Sequence, residues 1–106
     1  MSDQVKSITE NQYDSTLNES DVVLVRFWAP WCPPCMMMQP MYKKAAKDIG
    51  DKALLSEMNL DHSPNIARKL GIRSIPTVVA FKNGEEVQRH TGLLNERSLV
   101  DLVNSI

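Results

Sequence analysis

Cysteine and histidine are scarce in this chain, with two of each among 106 residues. A structural zinc site normally takes four ligands, and neither His62 nor His90 has a second donor at ligand spacing beside it, so metal binding is not expected. No stretch approaches the ~20 consecutive apolar residues that cross a bilayer. Neither sign of charge dominates: 12 basic residues stand against 13 acidic ones, for a net charge of −1. With no basic block, the surface is suited neither to nucleic acid nor to an anionic membrane. Repeats, low-complexity tracts and linkers are also missing. The start, Met1-Ser2-Asp3-Gln4, lacks the charged-then-apolar character of a signal peptide, so a reducing cytoplasm is the expected location. At this length, and with 42% hydrophobic residues, the sequence is expected to form one domain, 1–106, around one core.

Both cysteines fall in one stretch, Trp31-Cys32-Pro33-Pro34-Cys35, directly after the apolar runs Val22-Val23-Leu24-Val25 and Phe27-Trp28-Ala29. Two thiols at this spacing, at the exit of a strand-like segment, can close into a small disulfide and reopen. A purely structural bridge across so short a loop would stabilise the fold little. Exchange chemistry needs a thiolate, and a helix starting at Cys32 would supply backbone N–H groups and the positive end of its dipole. Attack by Cys32 would leave a mixed disulfide that Cys35, one helical turn on, could resolve. Trp31, Pro33 and Pro34 would surround Cys32 with apolar surface and fix the backbone.

Strand and helix signals alternate along the chain. Residues 5–8 read as a strand, and Thr9 with Gln12 has capping-box spacing for a helix to about residue 18. The run 22–29 reads as a strand central to the sheet. A helix is predicted over 34–49, with Met37, Met38, Met41, Tyr42, Ala45 and Ile49 at helical spacing, a kink at Pro40 and a stop at Gly50. A buried strand over 53–59 follows, then a short helix between Ser63-Pro64 and Gly71. Strands 77–82 and 86–90, joined by Asn83-Gly84, read as a hairpin, and a last helix over 95–106 carries Leu99, Leu102, Val103 and Ile106 on one face. This order implies an α/β fold, a mixed sheet with helices on both faces. Functional groups of such sheets gather beyond the carboxyl ends of central strands, where Cys32 and Cys35 would fall.

Several landmarks beyond the cysteines resemble one family. Phe27-Trp28-Ala29-Pro30-Trp31-Cys32 is similar to the active-site approach of thioredoxins, and Gly71-Ile72-Arg73-Ser74-Ile75-Pro76-Thr77 to their second substrate loop. Phe81-Lys82-Asn83-Gly84 and Gly92 match further, so the resemblance covers nearly the whole chain. It implies the thioredoxin fold, a central mixed five-stranded sheet flanked by four helices, with a cis bond before Pro76. It implies a protein-disulfide reductase in which Cys32 attacks and Cys35 resolves, with Trp31, Pro33, Pro34, Met36, Ile75, Pro76 and Gly92 as docking surface and Trp28, Pro40 and Gly84 in structural roles. No cofactor is implied beyond the Cys32–Cys35 disulfide. The expected partners are disulfide-containing proteins and a thioredoxin-reductase-type electron donor, with the chain monomeric. Two other readings are an oxidase or isomerase, set apart by reduction potential, and a non-catalytic binding module in which the disulfide is incidental.

Three positions depart from the family pattern. Pro33 replaces the usual glycine, removing one N–H that could face the Cys32 sulfur while fixing φ, so an altered potential of undetermined sign is expected. Arg26 stands where the family buries an aspartate, and Glu57 where it has a lysine, which suggests a swapped ion pair between adjacent strands. Glu57 is then a candidate to take a proton from Cys35, with Arg26 favouring the thiolate; a purely structural pair is the alternative. Met36-Met37-Met38 takes the place of a common lysine; Met37 and Met38 read as core filler, and Met36 as an adaptable apolar rim for substrates.

Overall fold

The computed structural model describes residues 4–106. The reading of Met1, Ser2 and Asp3 as part of a start without a leader therefore lies outside the described residues. Strand β1 (Val5–Ser7) leads to helix α1 (Glu10–Leu17), where Thr9 is the N-cap and its N–H donates to Gln12 Oε1 at 3.0 Å. Strand β2 (Val22–Trp28) feeds helix α2 (Pro33–Ile49), and a 3-10 turn at Gly50–Lys52 leads into β3 (Leu54–Asn59). Helix α3 (Pro64–Leu70) ends on Gly71, whose φ of 74° suits a residue without a Cβ. Strands β4 (Thr77–Lys82) and β5 (Glu85–Thr91) precede the final helix α4 (Glu96–Asn104).

The sheet has five strands in the order β1-β3-β2-β4-β5, with β3 parallel to both β1 and β2, and β4 antiparallel to β2 and β5. The most apolar strand, β2, is central because both of its faces are covered, and side-chain alternation decides what covers each. Leu24 joins Met38, Tyr42, Ala45 and Ile49 of α2 and Leu99 and Val103 of α4 in one core layer. Val23, Val25 and Phe27 pack on the other side with Tyr13 and Leu17 of α1 and Ala67 of α3. The sheet thus has α2 and α4 on one face and α1 and α3 on the other.

The hairpin turn takes the form its residues demand: Asn83 and Gly84 have φ of 52° and 85°, matching the twist of the paired strands. Strand β5 runs one residue further at each end than the sequence suggests, is exposed throughout, and is bulged opposite the Ala80/Phe81 step. Charged residues and a bulge on an edge oppose pairing with other chains. Helix α2 starts one residue earlier than expected, at Pro33, and continues through Pro40, which is exposed.

One core assignment is corrected. Met37 is 60% exposed rather than core filler, whereas Met38 is fully buried. Met37 lies roughly 100° around the helix from Met38, away from the stripe formed by Cys35, Tyr42, Ala45 and Ile49.

Asn95 caps α4, its Oδ1 accepting from Ser98 N–H at 2.8 Å. Replacing Asn95 with Ala is expected to cost about 1 kcal/mol, read from the urea midpoint at unchanged slope.

Candidate active site

Strand β2 ends at Trp28, and four residues later Cys32 becomes the N-cap of α2, placing the dithiol beyond the carboxyl end of the central strand. Cys32 and Cys35 are joined as a disulfide with Cα atoms 5.3 Å apart. Pro33 and Pro34 occupy the first two helical positions and have no N–H to offer, so Cys35 N–H is the first donor of the helix, 3.3 Å from Cys32 Sγ. The next amide, Met36 N–H, is taken by Cys32 O at 3.1 Å. Cys32 retains 5% of its surface and Cys35 none, so the sulfur that a partner can meet is that of Cys32.

The loop before β4 faces this pair. The Ile75-Pro76 peptide is cis, and Ile75 O lies 3.8 Å from Cys32 Sγ. Thr77 Oγ1 donates to Ser74 O at 2.6 Å, and Gly92 N–H donates to Pro76 O at 2.8 Å, tying the loop down from both sides. Gly92 has a φ of 111°, a conformation that side chains disfavour. Trp31 is 66% exposed, and its indole N–H donates to Asp61 Oδ1 at 3.0 Å. No sequence signal marks Asp61, because this bond joins two loops thirty residues apart.

Beneath the dithiol is the charge pair. Parallel pairing of β2 with β3 sets Arg26 opposite Glu57, and Arg26 Nη2 donates to Glu57 Oε1 at 2.7 Å. Arg26 has no exposed surface, and its Nη1 donates to Cys35 O at 2.9 Å. The guanidinium lies 5.3 Å from the Trp28 ring and 5.4 Å from the Tyr42 ring, within cation–π range. Glu57 Oε2 accepts from Ser7 Oγ at 3.0 Å. A cleft of about 270 Å³ lined by Ser7, Thr9, Trp28, Glu57, Asn59 and His62 leads from this carboxylate to solvent. Burial pushes the Tyr42 phenol far above its usual range, with Arg26 opposing the shift; its hydroxyl donates to Ser56 O at 2.7 Å. Ser7 reads in the sequence only as strand, and nothing local marks it as a partner of Glu57.

Met36 is 38% exposed and Met37 is 60% exposed, and both follow Cys35 on the first turns of α2. Among the described residues, no three His, Cys, Asp or Glu side chains gather closely enough to hold a metal ion, and no helix is long and apolar enough to cross a membrane.

A disulfide that opens at a helix start beyond a central strand can accept two electrons and return them, and on this fold it defines a thiol–disulfide oxidoreductase. The thioredoxin family model matches residues 4–105. The thioredoxin of Rickettsia bellii is 42% identical over 100 residues, covering 93% of this chain and 95% of that one. Chloroplastic thioredoxin M4 of Arabidopsis thaliana is 42% identical over 97 residues, 91% of this chain and 50% of that protein. The solved structure of a mutant thioredoxin from Halobacterium salinarum superimposes with a TM-score of 0.90 at 34% identity, covering 97% of this chain and 90% of that one. The chain belongs to the thioredoxin family, and its activity is protein-disulfide reduction by dithiol–disulfide exchange.

Proposed function

We propose that Cys32 is the attacking sulfur and Cys35 the resolving one. The observation that carries this reading is the asymmetry between them: Cys32 keeps a little exposed surface and its Sγ has the Cys35 N–H 3.3 Å away, while Cys35 is fully covered. The Cys32 thiolate attacks one sulfur of a substrate disulfide, the substrate S–S bond breaks, and the leaving sulfur takes a proton. Cys35, deprotonated, then attacks Cys32 Sγ, expelling the second substrate sulfur and closing the Cys32–Cys35 bond. Two electrons have passed to the substrate, and no other cofactor is required. A thioredoxin-reductase-type dithiol donor reverses the bond closure for the next cycle.

Substrates dock on Trp31, Pro33, Pro34, Met36, Ile75, Pro76 and Gly92, with an extended segment pairing along the loop that carries Ile75. Trp28, Pro40 and Gly84 serve structure: packing on Arg26, shaping α2 and forming the hairpin turn. The chain works as a single-domain monomer, binds neither nucleic acid nor membrane, and suits the cytoplasm, where thiols are kept reduced. Reduction of insulin disulfides, with redox titration of the pair against glutathione, tests the reading. A chain that catalyses no insulin reduction would refute it.

Glu57 takes the proton from Cys35 and passes it out through the cleft beside Ser7 and His62. Glu57→Gln is expected to change the pH profile of the resolving step, removing the limb that depends on this carboxylate. An unchanged profile in a folded variant removes Glu57 from the proton path.

A further inference from the structure

Arg26 presents a donor that the disulfide state leaves unused. Its Nη1 and Nη2 are bound by Cys35 O and Glu57, its faces lie near Trp28 and Tyr42, yet its fully buried Nε–H has no hydrogen-bond partner. A buried donor without an acceptor is costly, and native structures seldom keep one without a reason. The guanidinium already holds Cys35 by its carbonyl, and when the Cys32–Cys35 bond opens the same residue becomes free to carry negative charge on its sulfur.

We propose that Arg26 is a positioning residue that sets the redox poise of the couple, by stabilising the Cys35 thiolate and so favouring the reduced protein. This rests on Cys35 being the resolving sulfur. Reduction by two glutathione thiols breaks the Cys32–Cys35 bond and forms glutathione disulfide. The two electrons end on Cys32 and Cys35, and of the two protons glutathione gives up, one is released to solvent wherever Cys35 remains charged. A guanidinium stays protonated throughout this range, so unlike a buried carboxylate it cannot trade a proton with the sulfur. It acts by charge alone. The other titratable groups around the pair are Cys32 at the N-cap of α2, Tyr42 on α2 and Glu57 on β3, with His62 on the cleft that Glu57 shares. Glu57 opposes Arg26 and is bound through Nη2, while Cys35 O is bound through Nη1.

The test isolates Cys35 in the Cys32→Ser protein and titrates its thiolate by ultraviolet absorbance. Neutralising both charges with Arg26→Gln and Glu57→Gln is expected to raise the Cys35 midpoint by about one pH unit or more. Glu57→Gln alone, which keeps the cation and removes its counter-charge, is expected to lower it. In the two-cysteine protein, at a pH above both Cys35 midpoints, the neutral pair is expected to make reduction by glutathione about tenfold less favourable, about 30 mV toward more negative potential. Midpoints that do not move, or a Glu57→Gln midpoint that rises, would overturn the proposal. The single variant decides the matter if the double one does not fold. Loss of the resolving role itself would show separately, as turnover that survives replacement of Cys35.

Discussion

Cys32→Ser is expected to abolish disulfide reduction, by on the order of a thousandfold or more, in a protein that remains folded. The hydroxyl fits where the thiol sat, but it is far less ionised and forms no bond to sulfur that can be exchanged onward. The fold should tolerate the change because the lost cross-link closes only a short loop, which restrains the unfolded chain little. Cys35→Ser has a different signature. Attack by Cys32 still proceeds, but the second sulfur is missing, so substrate proteins accumulate as mixed disulfides on Cys32. Insulin reduction measures the first effect, and non-reducing electrophoresis with mass spectrometry measures the second. If Cys32→Ser kept full function, the protein would be a binding module whose disulfide is incidental. If Cys35→Ser trapped nothing, the order of the two sulfurs would be wrong.

The parts of this molecule legible in its sequence are those fixed over a few residues. The Asn83-Gly84 turn, the Thr9 and Gln12 cap and the Gly71 terminus each follow from local backbone preference, and each is formed as expected. The central place of β2 follows from its apolar runs on either side of Arg26, which need cover on both faces. The charge pair is legible in a different way: one buried cation demands an anion, and adjacent strands set Arg26 against Glu57. Contacts whose partners are far apart in the chain are not legible. Ser7 meets Glu57 only once β1 lies beside β3, and Asp61 meets Trp31 only when two loops converge. Met37 escapes a sequence reading because three consecutive methionines carry no period, and helical phase alone decides which of them faces the core.

The buried pair also makes the largest demand on stability. Arg26→Met alone is expected to destabilise the oxidised protein by about 3–5 kcal/mol, because Glu57, only 7% exposed, would lose its counter-charge and keep Ser7 as its remaining neighbour in the pair's network. For a domain of this size that corresponds to a fall in melting temperature of roughly 15 °C or more. Replacing both members, with Arg26→Met and Glu57→Leu, is expected to recover most of the loss, since two apolar side chains need no desolvation and can fill the space beside Trp28 and Tyr42. Urea unfolding of the single and double variants, both with the disulfide intact, gives the comparison. Recovery would mean that the pair costs the fold nearly as much as it contributes, so its place beneath Cys35 answers to redox chemistry rather than to stability. A double variant as unstable as the single one would instead show that Arg26 holds the core through Cys35 O and the two aromatic rings, independently of its counter-charge.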